Sequence, residues 1–355
     1  MAEKQKVEQQ IPAMYGTFRL KGRVDKIDTT NYDSETSTGR KRRAITLIMR
    51  TSKDNTVSVP LSAIAQDSVY FVKRDENGKE EERKIIPWDE RNTTPLPEGF
   101  YPMSRIMVGV EQEIDENGQE KNKSQFKILY DAIEDVYNFV KVGDELFIRG
   151  DVTVESYENR RGETVSTVRL NPNQISMRNK NDKLDFDDPN FAEDNSITQP
   201  LIIQDVEIDE DNEKAAVNGL VIGRKREGTI EIEIEGKDNL MFAKTLKNLS
   251  VENPYGAITL QARISNEGSV GPQKVWDDVF NTWVVPKTRQ GGFRTRYVYI
   301  AMVAESYDNV TYTEENVAEF RNTFCRGKQE FGSNTTETTT NTTTSHGSED
   351  IWGSI

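Results

Sequence analysis

The feature that most constrains this chain is a two-residue alternation of apolar and polar side chains, which returns in ribbon after ribbon with short polar turns between. Tyr15 to Asp28 sets Phe18, Leu20, Gly22 and Val24 on one side and Arg19, Lys21 and Arg23 on the other, the period of a half-buried strand. Arg43 to Thr51 and Asn55 to Leu61 read as a hairpin about Lys53-Asp54. Val69 to Arg74 with Glu82 to Trp88, and Met103 to Ile114 with Ser124 to Leu129, read as further ribbons turned at Asn77-Gly78 and Asn117-Gly118. Prolines at 87, 95, 97 and 102 stiffen the connection between them, where Trp88, Phe100 and Tyr101 either pin the chain or offer ring faces.

Ile133, Val136, Tyr137 and Val140 fall at helical spacing, so a short helix is expected before Gly143-Asp144. Two long strands follow, Glu145 to Tyr157 and Thr164 to Met177. A helix ahead of the closing hairpin of a five-stranded barrel is the arrangement of an OB-fold. A second β pattern comprises Ala215 to Arg226, Thr229 to Glu235, Leu240 to Lys244, Tyr255 to Ser265 and Gly292 to Glu305, with a helix over Glu314 to Phe324. The expected fold is therefore mostly β: two OB-fold-like five-stranded barrels in tandem, with extra β-ribbons in the first, short helices and a disordered C-terminal tail. The expected boundaries are 1–178 for the first barrel, 179–200 for an acidic linker, 201–328 for the second barrel and 329–355 for a Thr/Asn-rich tail with an acidic-apolar tip.

The 60 acidic residues outnumber the 46 basic ones, which at first argues against a polyanion as partner. Their distribution reverses that. Residues 185–213 hold eleven acids and no Lys or Arg, and residues 329–355 hold four more, again with no base. Without those fifteen, 45 acids remain against 46 bases, so the acidity is segregated and the body is close to neutral.

Residue types exclude much chemistry. The single histidine, His346, sits in the tail, and the single cysteine is Cys325; neither a zinc site, a disulfide framework nor histidine-based acid-base catalysis is available. No G-x-x-x-x-G-K-[ST] phosphate loop occurs. The acids of 205–213 lack the glycine of a calcium loop and read as a solvated edge. No enzyme activity, metal or cofactor is expected. Without a signal-like or membrane-spanning apolar run, the chain reads as a soluble, cytoplasmic protein with no membrane partner.

Binding single strands requires cations along the phosphates and aromatic faces for the bases. Val279 to Ala304 holds Lys287, Arg289, Arg294 and Arg296, no acid, and Trp283, Phe293, Tyr297 and Tyr299. Either these rings face the nucleic acid or they form core while the arginines bind phosphate. In the first module the candidates are Arg19, Lys21 and Arg23 on one strand face and the basic run Arg40, Lys41, Arg42, Arg43 with Arg50. Arg149, Arg160, Arg161 and Arg169 line the closing hairpin with Tyr157. A charge run also arises as a plain solvated face.

Val142 to Ile175 resembles the second half of bacterial and phage single-stranded DNA-binding proteins, through Gly143-Asp144, an apolar strand, Gly150, Tyr157, the Gly162 turn and Ile175. The match covers about a tenth of the chain. The inserted ribbons between Tyr70 and Leu129, and a second module without the bacterial pattern, point to a phage-type relative. The resemblance implies an OB-fold protein that coats and protects single-stranded DNA in replication, recombination or repair. It further implies a tail tip, Glu349, Asp350, Ile351, Trp352 and Ile355, that recruits replication or recombination proteins into a basic-rimmed apolar pocket. The alternatives are a scaffold β-protein that binds other proteins, and a single-stranded RNA-binding protein.

Overall fold

The computed structural model describes residues 11–114, 116, 118, 120–159, 161–178, 183–266 and 295–325, and the backbone alone of 275–277 and 282–284. The alternating segments become strands because each sends every second side chain into a shared core. In β1 (Gly16–Asp28), Phe18, Leu20 and Val24 are at most 3% exposed, and burying such side chains contributes roughly 1.5–3 kcal/mol each. A short β2 (Ser34–Glu35) precedes the hairpin β3 (Lys41–Arg50) and β4 (Thr56–Ile64). Then come β5 (Ser68–Arg74), β6 (Glu80–Pro87), β7 (Tyr101–Pro102), β8 (Ile106–Gly109), β9 (Gln112–Ile114), β10 (Glu120–Asn122) and β11 (Gln125–Lys127). Helix α1 (Leu129–Phe139) leads into the long hairpin of β12 (Glu145–Glu158) and β13 (Thr164–Met177).

The first barrel runs β4-β3-β1-β12-β13-β8, antiparallel except for the parallel β13–β8 pairing. Helix α1 packs across β3, β4 and β8 with Ile133 and Val136 fully buried. The ribbon expected over Met103 to Ile114 is broken in two, because β8 pairs with β11 whereas β9 pairs with β10.

The second barrel contains β14 (Asn195–Asp209), β15 (Lys214–Ile222), β16 (Glu227–Glu235), α2 (Lys237–Glu252), β17 (Ala257–Ser265), β18 (Val275–Asp277), β19 (Thr282–Val284) and β20 (Arg296–Met302). Its ladder closes on itself: β14-β15-β16-β20-β17 and back to β14, with β16 and β20 parallel. Five strands in that order, with a helix between the third and fourth, make an OB barrel. Helix α3 (Glu314–Phe320) follows and buries Val317 and Phe320.

Two expectations need correction. Leu240 to Lys244, read as a strand, lies inside α2; the buried positions Leu240, Ala243 and Leu246 recur every three residues, a period that a five-residue apolar window cannot distinguish from alternation. Residues 195–200, read as linker, open β14, where Ile197 and Gln199 are fully buried.

The barrels are also fused rather than strung. Thr17 to Leu20 of β1 pair with Thr198 to Asn195 of β14, so one sheet runs through both. Buried apolar side chains form a single core from Met14 and Phe18 through to Ile264 and Phe320. At Gly228 of β16 an added Cβ would lie 2.7 Å from the Glu155 backbone nitrogen of β12, so only glycine permits this approach.

The inserted ribbons form a separate three-stranded sheet, β6-β5-β7, over a small core of Val69, Phe71 and Ile86. Arg91 pins it to α1: its guanidinium donates to both Asp131 carboxylate oxygens (2.7 and 3.1 Å) and lies 4.3 Å over Trp88. Arg43 joins this cluster from β3, donating to Glu134 (2.8 Å) and lying 4.3 Å over Tyr130. Burial disfavours the Arg43 charge, but the adjoining Glu134 carboxylate outweighs it and holds the guanidinium above its ordinary pKa.

Candidate nucleic-acid interface

Because side chains alternate across a strand and residues in register share a face, pairing partners define which groups meet outside the first barrel. Lys21, Phe147 and Ser176 form one cross-strand row over β1, β12 and β13; Arg19, Arg149 and Gln174 form the next; Thr17, Asp151 and Asn171 follow. Tyr15, 68% exposed, stands at the head of the same outward side of β1. The outer face therefore carries Lys21, Arg19 and Arg149 beside the rings of Phe147 and Tyr15. Arg149 is exposed and has no ion-pair or hydrogen-bond partner among the described residues. Arg149 faces outward by the alternation of β12 between the buried Ile148 and Gly150; the ladder then bulges on β13 at Asn173, and Gly150 permits the close approach, since a Cβ there would sit 2.0 Å from the Asn171 carbonyl oxygen.

The acidic segment lies against this face. Asp194 holds both Arg19 (2.9 Å) and Lys21 (2.7 Å). Glu193, nearly buried, accepts from Thr51 and Asn55 and lies 3.7 Å from Arg263 of the second barrel. Arg23 donates to Glu145 (3.0 Å) and the Leu184 carbonyl (2.7 Å), with its guanidinium 5.0 Å over Phe186. Asp187 hydrogen-bonds Lys53 and, by that bond and its charge, raises the lysine pKa. Carboxylates of residues 187–194 thus already match two cations of this face, Arg19 and Lys21, together with Lys53 of the β3–β4 turn and Arg263 of the second barrel.

Other sequence candidates are dispersed. Arg40 reaches Asp67 (3.4 Å), Arg42 donates to Ser62 Oγ (3.1 Å), and Arg50 clasps Asp25 (2.8 Å). Lys41 is exposed at the start of β3 and Arg161 at the hairpin turn, neither with a side-chain partner among the described residues. Tyr157 is 39% exposed on the outward side of β12, and half-buried Arg169 lies opposite Thr153. Arg296 is held by Glu233 and Glu235 (both 2.5 Å); the Glu233 hydrogen bond above all raises its pKa. Tyr297 packs against the core and burial pushes its hydroxyl far up; Tyr299 stacks on Phe242 of α2 with centroids 4.9 Å apart. The backbone of Trp283 pairs with that of Trp276. Arg160, Lys287, Arg289, Phe293, Arg294, Glu349, Asp350, Ile351, Trp352 and Ile355 lie outside the described residues.

The second barrel carries the opposite sign along its first and third strands. Its strands β14 and β16 present Asp205, Glu207, Asp209, Glu231, Glu233 and Glu235, against which Arg296 and Lys214 are set. Among the described residues no group of three or more His, Cys, Asp or Glu side chains is placed to hold a metal ion. Tyr15 and Phe147 were not among the sequence candidates. The alternation itself carried their signal: Tyr15 shares parity with Arg19 and Lys21, and Phe147 with Arg149.

A family model described as YorF matches residues 16–338. No curated protein matches the sequence. Two solved structures of the single-stranded DNA-binding protein from Thermus aquaticus are similar in part. A deletion mutant of that protein is 13% identical, covers 85% of this chain and 98% of its own, and superposes with a TM-score of 0.38. The wild-type protein is 12% identical, covers 82% and 93%, and has a TM-score of 0.36.

Proposed function

The chain belongs to the YorF family, and from the geometry of its outer β1–β12–β13 face we propose that it is a non-enzymatic protein that binds single-stranded DNA. The observation that carries this reading is Arg149, without a partner among the described residues, beside Arg19 and Lys21, with the Phe147 and Tyr15 rings on the same side of an OB barrel. Cations interleaved with ring faces suit a flexible strand, whose phosphates and unstacked bases are both accessible. The second barrel, acidic along the outward positions of β14 and β16, is taken to support the first instead of adding a second such face.

In the cell this reading makes the chain a phage-type coating protein of DNA replication or recombination, acting in the cytoplasm, with Glu349 to Ile355 as the segment that recruits partners. The test is a fluorescence anisotropy titration with an oligo(dT) at low salt, with duplex DNA and oligo(U) in parallel. Salt-sensitive binding to oligo(dT), weaker with duplex, is expected; no binding to any of the three at low salt overturns the proposal.

A further inference from the structure

The basic row does not end at β13. Gln174 lies in register with Met107 of β8, and Met107 with Phe126 of β11. Cross-strand partners share a face, so Arg19, Arg149, Gln174, Met107 and Phe126 form one line over five strands. Three ladder steps separate Arg149 from Phe126, about 15 Å at ordinary strand spacing. At the far end Phe126 is 53% exposed. The Arg105 guanidinium lies 4.4 Å from its ring centroid and 3.6 Å from that of Tyr101. Arg105 is exposed and has no carboxylate partner among the described residues. In contrast, the neighbouring Lys123 and Lys127 are held by Glu111 and Asp135.

We propose that Phe126 and Arg105, supported by Tyr101, form a base-stacking subsite for an unpaired nucleobase of the strand whose phosphates run along Arg19 and Arg149. This rests on the single-strand reading above and deepens it by assigning the groups that distinguish unpaired from paired bases. The exposed Phe126 ring, with the Arg105 guanidinium lying over it and over Tyr101, offers a planar surface for a base, and the Arg105 donors reach toward the adjoining phosphate. A duplex keeps its bases stacked on one another and gains nothing at this end of the row. The backbone fixes the geometry: Arg105 alternates with the buried Ile106 and therefore projects on the side of Met107.

The test compares an oligo(dT) with an abasic oligomer of the same length, which keeps the phosphates and lacks the bases. Phe126→Ala is expected to weaken oligo(dT) binding on the order of tenfold while leaving the abasic oligomer unchanged, and Phe126→Trp to retain wild-type affinity. Arg105→Ala is expected to weaken both. Thermal midpoints within a degree or so of wild type keep these comparisons among folded proteins, as the half-exposed ring allows. Wild-type binding of oligo(dT) that Phe126→Ala leaves intact overturns the subsite alone, as does an equal loss for both oligomers. Failure of the wild-type protein to bind oligo(dT) overturns the single-strand reading and the subsite with it.

Discussion

At the scale of single residues, the chain contains arginines of two kinds that its sequence does not separate. Arg149 is unpartnered among the described residues, whereas Arg296 sits between Glu233 and Glu235. Arg149→Ala is expected to leave the thermal midpoint unchanged and to reduce the salt slope of oligo(dT) binding by about 0.7, the share of one phosphate on a single strand. Arg296→Ala is expected to leave binding intact and lower stability by about 1 kcal/mol, a few degrees in thermal midpoint. The pH dependence has a definite sign. Burial raises the Glu235 pKa, but the hydrogen bonds and charges of Arg296 and, after it, Lys214 together offset this and hold it below the ordinary glutamate value. The resulting stability is present above that value and disappears as pH falls through the lowered one, so Arg296→Ala should flatten the acid limb of the stability profile. Asp194 neutralises Arg19 and Lys21. Asp194→Asn is therefore expected to tighten oligo(dT) binding several-fold at low salt, with the gain vanishing as salt screens the row; unaltered affinity at low salt would show that these cations do not meet the strand.

At the scale of elements, the long β12–β13 hairpin was legible because fourteen residues of alternation leave no competing period, and observed and expected strands agree within a residue. Helix α2 was not legible, since its apolar window was short and its helical repeat showed only over sixteen residues. The inserted sheet was legible as ribbons, but not its anchor. Arg91 and Asp131 are each only slightly exposed, and neither carries a sequence signal that names the other. Arg91→Ala leaves the Asp131 charge without its bidentate partner, a loss of about 3 kcal/mol. The ribbons should then loosen, seen as a red shift in Trp88 emission and faster proteolysis within 65–105. Unchanged proteolysis would mean that the Val69, Phe71 and Ile86 core holds the sheet unaided.

At the scale of the whole molecule, fusion of the barrels through β1 and β14, and through the Gly228 contact, makes them one cooperative unit. Calorimetry is expected to show a single unfolding transition with matching calorimetric and van't Hoff enthalpies; two resolved transitions would show that the barrels unfold separately. Among the described residues no helix is long and apolar enough to cross a membrane. Charge is arranged on the same scale. The outer face of the first barrel is basic beneath an acidic strap at 187–194, while the second barrel turns carboxylates outward on β14 and β16.

The sequence by itself determined the local periods, hence strands, turns and α1, and the segregation of acids into two stretches. These follow from interactions among residues close in the chain, where side-chain direction is set by backbone geometry alone. Only the tertiary structure decided which strands became neighbours and which carboxylate reached which cation. Arg19 and Asp194, or Arg149 and Phe126, are remote in sequence; a one-residue slip in any intervening ladder would turn half of that row inward. The basic strand face first seen at Arg19, Lys21 and Arg23 survives as part of a binding surface only because β12 supplies Arg149 in register, and it is restrained because β14 brings Asp194 to its edge.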